Sequence, residues 1–157
     1  MKQFLSFLMC IGVAWTASGQ HRALSDAHWP SGVRPVIAPD SFRELQLNAE
    51  ELGDFLHQVP SHGSHADREG VLLVFPFPDG TDRAYKVFEE RVMAEALQKR
   101  FPQIRTYSGI AADGLGGTVH FDLTERGFHA MMLTPGQETV YIDPADRDGS
   151  SGLYLAY

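Results

Sequence analysis

Seven histidines and twenty carboxylates are the groups through which this sequence could do chemistry, because its single cysteine, Cys10, lies in an apolar N-terminal run. His62-x-x-His65 has the spacing of a metal-ligand pair. It sits in a polar, turn-rich stretch where Asp67 is the nearest further donor, so it reads as a solvated loop. His120 and His129 fall on two runs that read as the strands of one hairpin. Period-two alternation puts His120 with Thr118 and Asp122, opposite Val119, Phe121 and Leu123. The pair therefore reads as two surface histidines rather than as metal ligands. Asp113, Asp122, Glu125, Asp143 and Asp146 stand at loops or strand ends. General acid–base work needs two such groups to meet in space, which their spacing does not dictate. Asp143-Pro144 reads as a strand terminator. Asp146-x-Asp148 reads as a solvated loop short of a full calcium pattern.

The motifs that organise catalysis are missing from the sequence. There is no His-Glu-x-x-His, no Gly-x-Ser-x-Gly and no Walker-type phosphate loop. Gly114-Leu115-Gly116-Gly117 is short and leads into no helix, so it is assigned to a turn. The expectation is a chain that is not an enzyme by itself, with no cofactor and no metal of its own.

The N-terminus has the grammar of a signal peptide. Lys2 supplies a positive start, residues 4–15 are an apolar run, and Ala17-Ser18-Gly19 puts small residues before a cut ahead of Gln20. The run is too short to span a bilayer. Cleavage by signal peptidase would remove Cys10, leaving a mature chain with no thiol and no disulfide. The expected location is secreted, periplasmic or cell-surface, with no stable membrane anchor. The formal net charge is -7, and losing Lys2 with the leader makes the mature chain one unit more negative. An acidic surface repels phosphate backbones, so nucleic acid is excluded as a natural partner.

The remaining elements must position whatever the chain presents. Residues 20–40, with Pro30, Pro35 and Pro39, read as an extended lead-in, and residues 41–157 as one domain. Residues 41–47 alternate as a short strand. Asn48 reads as a helix N-cap with Glu51 as its capping-box partner, and Leu52, Phe55, Leu56 and Val59 follow at helical spacing up to Pro60. Strands are predicted at 71–77, 84–88, 104–110, 118–123, 128–133, 139–143 and 153–157, with a second helix at 90–100 whose face is Val92, Met93, Ala96 and Leu97. Short connections make the sheet largely antiparallel. The fold class is α+β: an antiparallel sheet of about six to seven strands with one or two short helices packed on it.

Several runs, in order, carry a family likeness. They are Phe88-Glu89-Glu90 with Met93, then Leu97, Phe101-Pro102-x-Ile104-x-Thr106-Tyr107-Ser108-Gly109, and Thr118-Val119-x-Phe121-Asp122-Leu123. Gly127-Phe128-His129-Ala130-Met131 and Val140-Tyr141-Ile142-Asp143-Pro144 complete the set. With the stretch 45–56 and the Pro60 break, the chain resembles the N-terminal propeptide region of secreted bacterial reprolysin-like zinc metallopeptidases over residues 41–157. Arg91 and Glu95 depart from that pattern.

The sequence ends at Tyr157, about where such precursors lead into their catalytic domain, so the resemblance implies a prodomain without its protease. It implies a module that assists the folding of a metallopeptidase domain, or masks it, in cis or in trans. With no cysteine in the mature chain, zinc would be blocked by a carboxylate, a histidine or steric cover. Partner docking is expected at the strand carrying Tyr107, Ser108 and Gly109, and at a terminal sheet edge carrying Leu153, Tyr154, Leu155 and Tyr157. An equal alternative is that the terminal strand only completes the domain's own sheet. The rival functions are a stand-alone secreted binding or adhesion module, and an enzyme built on carboxylates or on His120 and His129.

Overall fold

The computed structural model describes residues 19–61 and 70–157. The signal-peptide reading of residues 1–19 and the His62/His65 pair therefore lie outside the described residues, Gly19 excepted. The strands are β1 (Leu24–Asp26), β2 (Arg43–Leu47), β3 (Val71–Pro76), β4 (Asp82–Glu90), β5 (Arg105–Ala111), β6 (Thr118–Thr124), β7 (Gly127–Leu133), β8 (Val140–Pro144) and β9 (Leu153–Ala156). Two short helices, α1 (Ala49–Leu56) and α2 (Glu95–Arg100), interrupt them.

Among the described residues, all nine strands belong to one sheet in the order β1-β2-β9-β8-β7-β6-β5-β4-β3. Neighbouring strands pair antiparallel throughout, and from β3 to β9 each strand turns back on its predecessor. The predicted α+β class and antiparallel pairing hold, and the expected six to seven strands become nine. The strand not expected is β1, hidden in the proline-rich lead-in; β2 is the short strand expected at 41–47, and it closes onto β9.

The sheet curls until its two ends meet. His21, just ahead of β1, bridges to Leu73 of β3. The His21 amide donates to Leu72 O at 3.0 Å, and Val74 N donates to His21 O at 2.9 Å. Curling gives the sheet an inside, and alternation fills it with rings. Phe75 meets Tyr85 at 5.5 Å and Phe121 at 5.4 Å, Tyr107 stacks on Phe121 at 5.0 Å, and Phe128 contacts Tyr154 at 6.3 Å. Each such side chain contributes about 1.5–3 kcal/mol by leaving water. Leu45, Val87, Val119, Met132 and Ile142 complete this core at 0% exposure.

α1 packs on that core through Leu52, Phe55 and Leu56, the positions its spacing predicts. Asn48 Oδ1 accepts from Glu51 N at 3.1 Å, as an N-cap should. The return half of the capping box differs: Asn48 N donates to Ala23 O, so Glu51 instead accepts from the Asn48 side chain.

The second helix is the main correction. β4 runs on to Glu90, so only Glu95–Arg100 is helical, and α2 buries no residue. Leu97 is 45% exposed and Val92 70%. The expected packing of the Met93 and Leu97 face on the sheet does not occur. Cross-strand pairing with β5, from Tyr85↔Ala111 to Glu90↔Thr106, holds the chain extended where helical spacing alone suggested a turn of helix.

The lead-in is anchored beyond β1. Trp29 N donates to Glu44 Oε2 at 2.9 Å, Trp29 Nε1 donates to Leu45 O at 3.3 Å, and Val36 N donates to Ala145 O at 2.8 Å. It thus crosses the outer face of β2 and its neighbours, where Leu155 is buried opposite Glu44.

Candidate functional site

Inward use of the apolar alternation leaves the polar residues of β5 to β8 in rows on the outer face. Glu90 stands opposite Thr106, Thr106 opposite Asp122, and Asp122 opposite His129. Beside this row run Ser108, His120, Met131 and Tyr141. His120 and His129 are therefore diagonal neighbours on the outer face that alternation assigns to them. His120 is exposed, and among the described residues no three His, Cys, Asp or Glu side chains converge as metal ligands.

The centre of the face is a chain of hydrogen bonds. His129 Nδ1 lies 2.6 Å from Asp143 Oδ1, and the Tyr157 hydroxyl donates to Asp143 Oδ2 at 2.8 Å. Burial, then the adjacent Asp143 carboxylate, pushes the Tyr157 phenol up to about 12, so it remains a donor at neutral pH. Its ring stacks with Tyr141 at 5.7 Å. Asp122 is half-buried, and burial pushes its carboxyl above the usual range; Asp143 adds to the shift and His129 opposes it. Asp143 is thus not a mere strand terminator: it lies within β8 and holds two side chains.

These groups border a groove of about 400 Å³ lined by Val92, Thr106, Asp122, His129, Met131 and Tyr141 among others. On its other side His129 borders a second groove of about 450 Å³ with Val36, Ile37, Arg126 and Arg147. A wider groove of about 800 Å³ lies between α1 and the His21 segment, with Glu50, Glu51 and Asp54 in its wall. His21 stacks on Phe55 there at 4.2 Å.

The chemistry open to the outer face is acid–base and ligation. Activation of a serine or threonine hydroxyl by histidine, one route to nucleophilic catalysis, needs the two to be hydrogen-bonded. Ser108 donates instead to Glu90 Oε1 at 2.6 Å, and Thr106 donates to Glu90 O at 2.9 Å. The Asp146 loop is also spoken for. Gly149 N at 2.6 Å and Ser151 N at 2.8 Å both donate to its carboxylate, which makes it a turn-closing residue.

The residues expected to dock a partner are scattered by the fold. Tyr107 points inward, 3% exposed, with its phenol pushed up to about 12 by burial. Gly109 is buried where a Cβ would come within 2.8 Å of Val87 Cγ1 and 2.9 Å of Lys86 O. Tyr154 and Leu155 are buried, and the Tyr154 hydroxyl accepts from Phe128 N at 3.1 Å. Leu153 is half-buried, and Ser108 and Tyr157 are the members whose side chains hydrogen-bond on the outer face.

The terminal strand is not a free edge. β9 pairs with β2 on one side, from Arg43↔Ala156 to Gln46↔Leu153, and with β8 on the other. Of the two readings of this strand, completion of the domain's own sheet is the one observed. The strand of Tyr107, Ser108 and Gly109 is likewise paired on both sides. The His129–Asp143–Tyr157 chain escaped sequence reasoning because its members are 14 residues apart on strands whose register sequence does not fix. The available signal was that all three fall on outward positions of adjacent strands.

Comparison of the chain with protein-family models, with curated proteins and with solved structures returns no match.

Proposed function

We propose that this is an exported, non-catalytic module of the prodomain kind, which binds a metallopeptidase catalytic domain in cis or in trans and assists its folding or masks its cleft. The observation that carries the reading is the division of labour in the sheet. The inside is packed with Phe75, Tyr85, Tyr107, Phe121 and Phe128, while the accessible polar groups lie in an open outer groove beside exposed Val92 and Tyr141. A filled interior with an amphipathic outer face suits the docking of a protein surface better than the enclosure of a small substrate. The ordered runs of residues 88–144 support a metallopeptidase as the partner.

The docking surface in this reading is the outer face of β5 to β8 with Tyr157, rather than a sheet edge. A stand-alone binding or adhesion module would use the same face, and the exposed Val36, Ile37, Val92 and Tyr141 around it favour that as the second reading. The two separate in one experiment. A reprolysin-like catalytic domain is refolded with and without the chain added in trans, and its peptidase activity is followed. Faster refolding or reversible inhibition supports the prodomain reading. A chain that binds neither the folded nor the refolding domain at high micromolar concentration rejects it in favour of the stand-alone module.

A further inference from the structure

His129 is held as histidines are held when they ligate a metal. Its Nδ1 faces Asp143 Oδ1 at 2.6 Å, and the second oxygen of that carboxylate accepts from Tyr157 at 2.8 Å. An ionised carboxylate can only accept, so opposite one the ring donates from Nδ1, and the neutral tautomer that does so carries its lone pair on Nε2. A carboxylate behind the ring fixes its tautomer and orientation and raises its basicity as a ligand. Nε2 makes no hydrogen bond to the described residues, and the ring stands between the grooves of about 400 and 450 Å³. Around it are Asp122 from β6, Arg126 from the β6–β7 turn and Arg147 from the β8–β9 loop. Yet no three ligands converge among the described residues, so this face offers one prearranged donor rather than a metal site of its own.

We propose that His129 Nε2 is a single ligand for a divalent transition metal that a partner protein holds with one coordination position open. Resting on the functional reading above, that metal is the catalytic zinc of the partner metallopeptidase. Catalytic zinc sites keep three protein ligands and a water in the fourth position. His129 displaces that water, which leaves as neutral H2O, and the Zn–N bond replaces Zn–O with no proton lost from the ring. The hydrolytic nucleophile is then absent from the masked enzyme. Asp143 and Tyr157 are positioning residues that hold the ring.

The test has two arms. In the first, a Co(II)-substituted reprolysin-like catalytic domain is titrated with the exported chain, and its visible absorption and residual activity are recorded. The wild type shifts the cobalt bands and inhibits. His129→Gln abolishes the shift and weakens inhibition at least about tenfold, Asp143→Asn weakens it roughly tenfold, and His57→Gln, at the exposed C-terminal end of α1 away from this face, leaves both unchanged. Circular dichroism of each variant confirms the fold. An unshifted cobalt spectrum in the bound complex, or full inhibition by a folded His129→Gln chain, overturns the inference while leaving the prodomain reading intact. In the second arm, Zn(II)–nitrilotriacetate, a chelate with open positions, is titrated while the His129 ring signals are followed by NMR, assigned through their loss in His129→Gln. If no protease binds, the functional reading fails and this arm decides alone. Saturable shifts of the His129 signals that weaken in Asp143→Asn uphold the ligand role, and ring signals indifferent to the chelate overturn it.

Discussion

Replacing Arg43 with methionine should unlatch the curled sheet. Arg43 lies on β2, its side chain is 12% exposed, and it reaches across to the β3–β4 hairpin. Its guanidinium donates to both oxygens of Asp26, to Phe77 O at 3.2 Å, to Thr81 O at 2.8 Å and to Asp82 Oδ1 at 3.0 Å. Asp26 is 70% exposed, so that pair is screened and contributes at most about 1 kcal/mol. Asp82 keeps Arg22 as a partner, so its loss is also about 1 kcal/mol. The two carbonyls lose a charged donor near the surface, about 0.5–1.5 kcal/mol each. Methionine keeps the apolar stem, and the sum is about 2–5 kcal/mol, or roughly 10 °C in Tm for a domain of this size. Urea unfolding of Arg43→Met, Asp82→Ala and the double variant measures the loss and the coupling. The Arg43 hydrogen bond holds the Asp26 carboxyl below its usual range. For Asp82, burial pushes the pKa up, but Arg22 and Arg43 outweigh it and the net shift is downward. Stabilisation from a depressed carboxylate pKa is present above the unfolded value of about 3.9 and is lost as pH falls through the folded value. The variant should therefore lose less stability than wild type on acidification through that window. A cost below about 1 kcal/mol, with an unchanged acid profile, would refute the latch.

Three further outcomes follow from particular contacts. Leu52→Ala, at 1% exposure, should cost about 2–5 kcal/mol in chemical denaturation, whereas Leu97→Asp, at 45% exposure, should stay within about 0.5 kcal/mol of wild type. Gly109→Ala should cost about 1–3 kcal/mol, because its Cβ would come within 3.0 Å of Val87, Lys86 O and Val119; a neutral effect would place β4, β5 and β6 further apart than observed. Asp122→Asn should raise Tm at pH 7. A carboxyl whose folded pKa is raised destabilises the native state when ionised, so the gain should vanish as pH falls to about 3.9 and both states protonate; a gain that persists there contradicts the burial argument.

What could be read from the sequence follows the strength of each local signal. The strands from Val71 onward alternate strongly or run apolar between clear turns, and Gly80 and Gly127 take positive φ where turn chemistry asks for it. Asn48 and Glu51 announce α1 by a side-chain hydrogen bond that any N-cap would make. β1 is only three residues long and acquires its strand character from pairing with β2, which no local pattern encodes. Residues 90–97 carry helical spacing, but Glu90 is captured by β5, and Val92 and Leu97 find no core to cover. The same long-range register hid the site. Tyr157 reaches Asp143 because it pairs with Tyr141, through backbone bonds of 2.8 and 3.0 Å.

The central claim is that the outer face of β5 to β8 docks a metallopeptidase domain. It is tested most directly by calorimetric titration of a folded reprolysin-like catalytic domain with the wild-type chain and with Tyr141→Glu, a substitution at a side chain that is 39% exposed at the groove. The account predicts saturable one-to-one binding by the wild type and a loss of at least about tenfold in affinity for the variant, as expected where an aromatic anchor is removed and a charge is placed against the partner. Equal affinity of the two chains, or no binding by a folded wild type at high micromolar concentration, would contradict it.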